Sequence, residues 1–227
     1  MLSICISLLI WLQPPSPDYH EVFGEHYTRA VQYLEELDLV SDSIFQHFDV
    51  DKEILHAVVF PELIRYSMIV DYLQVASLEL VYVNTGLADF SIGKFQIKPS
   101  FAERIEKYFL EDSARLGEFS ELFDYRVDDP VEIRKQRLGR LKSAKSQLMY
   151  LAGFARIMEI RYPDMPEWSD EYTLRFLSTA YNHDFEAEQE EIEEYSKKQF
   201  FPWGTSKESV RYNYSDISWF YFNKIQN

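Results

Sequence analysis

The stretch Asp51-Lys52-Glu53-Ile54-Leu55-His56-Ala57-Val58-Val59-Phe60-Pro61-Glu62-Leu63-Ile64-Arg65-Tyr66 carries the pattern on which the fold reading turns. Ile54, Leu55, Val58, Val59 and Leu63 recur at intervals of three and four, the spacing of one helical face, and Asp49 or Asp51 stands where an N-cap is expected. Pro61 falls inside the pattern. A proline has no amide donor and bends or ends a helix, which predicts that Glu62 sits at a kink or helix end, at the edge of a cleft.

Working outward, His20 to Leu39 repeats the helical spacing with Val22, Phe23, Tyr27, Ala30, Val31, Leu34, Leu37 and Leu39, and Ser41-Asp42-Ser43 is read as its end. Met68 to Val83 is compatible with a helix or with a short hairpin near 78–92, and Asn84-Thr85-Gly86 marks a turn. Ser100 and Glu103 have the spacing of a capping box that opens a helix reaching about Leu110. Asp129-Pro130 starts what reads as the longest helix, running to about Tyr162 before Pro163. Asp170 and Glu171 begin another that closes near Asn182, and the acidic run Glu186 to Glu194 reads as a solvated helix or linker. The Trp- and Tyr-rich tail from Phe201 to Phe222 is assigned to core packing ahead of lining a groove. The fold class is mainly α.

Composition agrees. The 227 residues are 46% hydrophobic and 16% aromatic with only seven glycines, which suits packed helices in one domain, taken as residues 18–227. The formal net charge is −15 and no segment gathers enough Lys and Arg to neutralise a run of phosphates, which argues against a nucleic-acid partner. The same field repels other polyanions at long range unless a binding groove is locally less acidic. Leu2 to Leu12 is apolar but too short to span a bilayer, and it stops at Pro14-Pro15-Ser16-Pro17. It is read as an export signal over residues 1–17, which implies a periplasmic or cell-envelope location, although no Lys or Arg precedes it. Its Cys5 is the only cysteine, so no disulfide or CxxC pair is available.

Nucleotide-binding loops, the GxSxG elbow and the HExxH zinc motif are all missing from the sequence. The five histidines, His20, His26, His47, His56 and His183, show no metal-ligand spacing, so neither a metal nor a cofactor is expected. What stands out is an ordered set of three pieces: Ala57-Val58-Val59-Phe60-Pro61-Glu62, then Gly93-Lys94-Phe95-Gln96 leading into Pro99, then Ala180-Tyr181-Asn182. In this order and context they resemble the lytic transglycosylases and goose-type lysozymes of the lysozyme-like superfamily. Those proteins show a helix with an alanine five residues before a glutamate, a Gly-Leu-Met-Gln loop near a proline, and an Ala-Tyr-Asn late in the chain.

The resemblance covers roughly residues 50–184 and implies a helical domain with a cleft that cleaves peptidoglycan glycan strands. It makes Glu62 the general acid and base, and assigns substrate contacts to Gln96, Tyr181, Asn182 and Phe95. If a second carboxylate positions water, Asp89 and Glu79 are the candidates, at about 6.5–9.5 Å from the acid in an inverting hydrolase. Without one, the muramyl hydroxyl closes on its own ring and leaves a 1,6-anhydro product. The spelling departs from the family at Leu63, where a serine is usual, at Lys94-Phe95, and at His183-Asp184. These changes, and an Arg65 spaced to pair with Glu62, support an alternative: an inactive module that binds glycan or an envelope protein.

Overall fold

The computed structural model describes residues 17–68, 73–205 and 209–226. The apolar run read as an export signal therefore lies outside the described residues. The chain forms α1 (Tyr19–Phe23), α2 (Glu25–Phe48), α3 (Lys52–Met68), α4 (Leu73–Thr85), α5 (Pro99–Glu111), α6 (Ser113–Phe123), α7 (Pro130–Leu141), α8 (Ala144–Arg161), α9 (Asp170–Asn182), α10 (Gln189–Tyr195) and α11 (Tyr214–Ile225). Two short strands, β1 (Gln199–Phe201) and β2 (Tyr212–Asn213), pair antiparallel just before α11. The fold is mainly α with one small antiparallel pair. That pair lies at 199–213 rather than near 78–92, where α4 runs to Thr85 and only an isolated bridge joins Ile92 to Ile97.

At the centre is α3, packed against α2, α9 and α11. Every residue from Leu55 to Ile64 is buried, so this helix is enclosed on all sides rather than amphipathic. It also passes through Pro61 without ending, so Glu62 lies within the helix and not at its terminus. Proline leaves the Ala57 carbonyl without its usual amide partner. Here the Tyr214 hydroxyl from α11 donates to the next carbonyl, Val58, at 3.1 Å. The start is as expected from Asp51, whose carboxylate accepts the Ile54 amide.

Other boundaries also moved for identifiable reasons. Ser41 does not break α2; its hydroxyl folds back onto the Asp38 carbonyl, and the helix runs on to Phe48. Val22 and Leu39, expected inside, are exposed. The long helix proposed from Asp129 is two helices, because Ser143 caps α8 by accepting the Ser146 amide. The capping box at Ser100 does not form. Lys98 is the N-cap of α5, Pro99 opens it, and Asp89 reaches in from the preceding loop to accept the Ser100 amide and hydroxyl. By contrast α9 spans the expected residues, capped by Ser169.

Behind α3, α8 is nearly enveloped, with Leu148, Tyr150, Leu151, Phe154, Ile157 and Met158 all buried. Gly153 lets it approach α5 and α6: a Cβ there would stand 3.1 Å from Ile105, Phe109 and Phe123. The aromatic tail supplies core, with Tyr221 stacked on Phe60 at 3.9 Å. Among the described residues no helix is long and apolar enough to cross a membrane.

A buried polar knot ties the second half together. Glu106 on α5 accepts from Arg137 Nε and Nη2 on α7 at 2.8 and 2.5 Å, from Tyr150 on α8 at 2.5 Å, and from Tyr125. Arg137 Nη1 in turn donates to the Tyr82 hydroxyl of α4 at 2.9 Å. Glu103 also approaches Arg137, at 3.6 Å, but is mostly exposed. Removing one partner of a buried pair leaves the other charge uncompensated, whereas a solvated neighbour contributes little. Glu106→Ala is therefore expected to lower unfolding stability by about 3–5 kcal/mol in urea titrations, and Glu103→Ala by less than about 1.

Candidate active site

Glu62 projects from the middle of α3 into one wall of a cleft of about 190 Å³. The loop before α5 contributes Asp89 and Gln96, the start of α5 contributes Lys98 and Arg104, and the end of α9 contributes Tyr181 and Asn182. Three segments separated by tens of residues thus converge on one carboxyl.

The loop is fixed by a side chain that no motif pointed to. Gln147, buried on α8, donates through Nε2 to the Ile92 carbonyl at 3.2 Å and the Leu141 carbonyl at 2.5 Å, and accepts the Phe95 amide at 3.1 Å. Gly93 must be glycine for two reasons. Its φ of 68° lies in the left-handed region, and a Cβ would fall 1.5 Å from Gln147 Nε2. Gln96 also has a positive φ, 53°, and its side-chain amide donates to the Gly93 carbonyl at 2.8 Å, which closes the turn with Gln96 facing the cleft.

Tyr181 and Phe95 meet by a different contact from the one anticipated. The Tyr181 hydroxyl donates to the Phe95 carbonyl at 2.8 Å, so its proton is committed to the loop. The Phe95 side chain is fully buried and does not line the cleft; its ring lies edge-on to Tyr33. The expectation that Phe95 contacts substrate is thus corrected: it is a core residue whose backbone anchors Tyr181. Glu79 is also outside the cleft, on α4, paired with Lys142 at 2.8 Å. Asp89 does line the cleft, but both its oxygens are engaged by Ser100.

Glu62 itself is buried and bound. Both carboxylate oxygens accept from Arg65 Nη1, one turn on, at 2.7 and 2.8 Å. The Arg65 guanidinium rests over the Phe201 ring at 5.0 Å, which helps hold it beside the acid. Burial pushes the Glu62 carboxyl above the usual carboxylate range, while Arg65, the Tyr214 hydroxyl and the nearby Lys98 pull it back. Tyr214 is thus within hydrogen-bonding reach of Glu62 as well as of the Val58 carbonyl, one proton between two acceptors. Composition placed Tyr214 among the tail's core aromatics, and only the fold reveals its second role.

A roomier hollow of about 270 Å³ lies elsewhere, between the start of α3, α8 and α9, with Met165, Trp168 and Leu177 in its walls. Its acids are largely committed, Asp51 to the Ile54 amide and Glu159 to Arg156 at 2.5 Å. The smaller cleft is the better candidate because it combines a buried acid with several converging polar groups. Among the described residues no group of three or more His, Cys, Asp or Glu side chains is arranged to hold a metal ion.

Because the Glu62 carboxyl has a raised pKa in the fold, the native state holds its proton at pH values where the unfolded chain has released it. Its contribution to stability is complete below the ordinary glutamate value and is lost as pH rises through the folded value. Measured as wild type minus Glu62→Gln, unfolding free energy should therefore fall with rising pH above about 4.5, the ordinary glutamate value. Tyr214→Phe removes a group that lowers the Glu62 pKa, so the same titration should shift to higher pH in that variant. Comparison with protein-family models, with curated proteins and with solved structures finds no match in any of the three, so the chemistry of this cleft is read from its own geometry.

Proposed function

We propose that the chain is a lysozyme-like enzyme that cleaves peptidoglycan glycan strands, with Glu62 as general acid and base. The observation that carries this reading is the meeting of Glu62, Gln96, Tyr181 and Asn182 in one cleft around a carboxyl whose burial favours its protonated form. A protonated acid out of water is what glycosidic cleavage requires, because the leaving sugar oxygen must take up a proton as its bond to C1 breaks.

In this reading Glu62 gives its proton to the glycosidic oxygen, the C1–O bond breaks, and positive charge develops on the muramyl ring. Arg65 must slip from the acid as substrate enters, since an Arg-bound carboxylate is a poor proton donor. The neighbouring Asp89 is engaged by Ser100 at both oxygens, which leaves it poorly placed to activate a water. That favours closure within the substrate: the C6 hydroxyl oxygen bonds to C1 while its proton passes to the Glu62 carboxylate, restoring the acid. The product is a 1,6-anhydro sugar, and no water is consumed. Gln96 and Asn182, facing the cleft, supply amide donors and acceptors for sugar hydroxyls. An exported, cell-envelope location follows from the same proposal.

Incubation of purified protein with peptidoglycan sacculi should release soluble muropeptides, each lighter by one water than its hydrolysed counterpart on mass spectrometry. Glu62→Gln should lower the rate by about 10²–10⁴-fold, the usual contribution of a positioned acid–base group. Failure of the wild type to release any fragment would reject the enzymatic reading.

The Arg65–Glu62 pair favours one rival, a module that binds glycan without cutting it. Chitooligosaccharide binding without turnover, weakened by Glu62→Gln, is the outcome that would favour that rival.

A further inference from the structure

The hollow between the start of α3, α8 and α9 takes no part in the reaction at Glu62. Its volume of about 270 Å³ is just below that of a usual small-molecule pocket. Ile54 in the hollow and Glu62 in the cleft are about two turns apart on α3, so the two openings lie at separate points along one helix. Ile54, Leu55, Ala155, Met165 and Leu177 give the hollow apolar walls. Trp168 completes them, its indole held in place by donating to Asp164 at 3.0 Å.

Three carboxylates, Asp51, Glu159 and Asp170, are set into these apolar walls, and no Lys, Arg or His lines the hollow. Each has an oxygen left over. Asp51 gives Oδ1 to the Ile54 amide, Glu159 gives Oε2 to Arg156, and Asp170 makes no ion pair or side-chain hydrogen bond among the described residues. The helix starts beside Asp51 and Asp170 offset about half a unit of charge each, and Arg156 offsets part of Glu159. The balance stays negative, in a chain whose total is −15, so a cation is drawn in. Thr173 adds an independent sign of a ligand. It lines the hollow at only 9% exposure, and its hydroxyl makes no hydrogen bond among the described residues. Ser178 and Thr179, further along α9, instead donate to the Arg175 carbonyl. A buried hydroxyl without a partner is costly, and a polar group entering the hollow would supply one.

We propose that this hollow is a binding site for a small organic cation, a primary ammonium carried on an apolar body of about ten non-hydrogen atoms. The body covers the apolar walls, and the three N–H donors of the ammonium meet the open carboxylate oxygens and the Thr173 hydroxyl as acceptors. Burial already pushes the Glu159 carboxyl above the usual carboxylate range despite Arg156, so an added cation relieves a charge that is incompletely compensated. A neutral molecule of the same shape fills the walls but leaves those oxygens to water. An anion is repelled. The site stands independently of the glycan-cleaving reading, since it shares no lining residue with the Glu62 cleft.

The test titrates three probes of one shape into the full chain at low salt, followed by ligand-detected NMR: 2-phenylethylammonium, 2-phenylethanol and 3-phenylpropanoate. The ammonium should bind with a Kd of about 1 mM or tighter, the usual range for a ligand of that size. The alcohol should bind at least about tenfold more weakly, the scale of one hydrogen bond to a charged group, and the carboxylate more weakly still. Glu159→Gln should weaken the ammonium about tenfold and Thr173→Val about threefold, each in protein whose near-ultraviolet circular dichroism matches the wild type. Equal binding of ammonium and alcohol overturns the proposal, as does no binding of the ammonium at about 10 mM. An affinity unchanged in Thr173→Val and Glu159→Gln puts the ligand elsewhere and overturns it too. If Glu159→Gln does not fold, the wild-type series and Thr173→Val decide.

Discussion

A carboxyl removed from water must either keep its proton or be given a partner, and around Glu62 the fold does both. Burial within α3 raises the cost of the anion, and Arg65 and Tyr214 lower it again. The balance is what makes the position chemically responsive. A fully solvated glutamate would stay ionised at neutral pH, and one with stronger pairing would be locked. The helices that enclose α3 are therefore part of the site, since α9 and α11 both exclude water and deliver Tyr181 and Tyr214.

The second half of the molecule has a different task. Its buried Glu106–Arg137 knot, with hydroxyls from three tyrosines, pairs both of its charges and contributes no residue to the cleft lining. Charged pairs of this kind add little net stability over an apolar filling, but they penalise any arrangement in which one member is missing. Such a knot fixes how α4, α5, α7 and α8 meet. Because α8 carries Gln147 and α5 carries Lys98 and Arg104, the same arrangement sets the far wall of the cleft.

How far the sequence could be read depends on the range of the forces involved. Local signals were legible: the acidic first turn of α9 at Asp170 and Glu171, proline at the first turn of α7, and the helical period across residues 54–63. Ser41 and the Lys142–Ser143 join were misread because one hydroxyl either continues a helix or caps one, and only the tertiary setting decides. Glu62, Gln96, Tyr181 and Asn182, which line one cleft, were singled out through short local spellings. Phe95 and Glu79 were misassigned because a motif fixes position along the chain but not which way a side chain turns. Tyr214 and Gln147 carried no such spelling: one lay among many aromatics and the other was an ordinary amide, and both act on residues far away in the chain.

The contact between Gly93 and Gln147 has an evolutionary corollary. With 1.5 Å separating the glutamine nitrogen from where a Cβ would stand, neither position is free to drift alone. A larger residue at 93 demands a shorter one at 147, yet a shorter one abandons the two hydrogen bonds that pin the turn and the third that ties it to the end of α7. Divergent copies of this chain should thus keep both residues or exchange them as a pair, and a lineage that loses the glutamine should show a reorganised loop and a differently shaped groove.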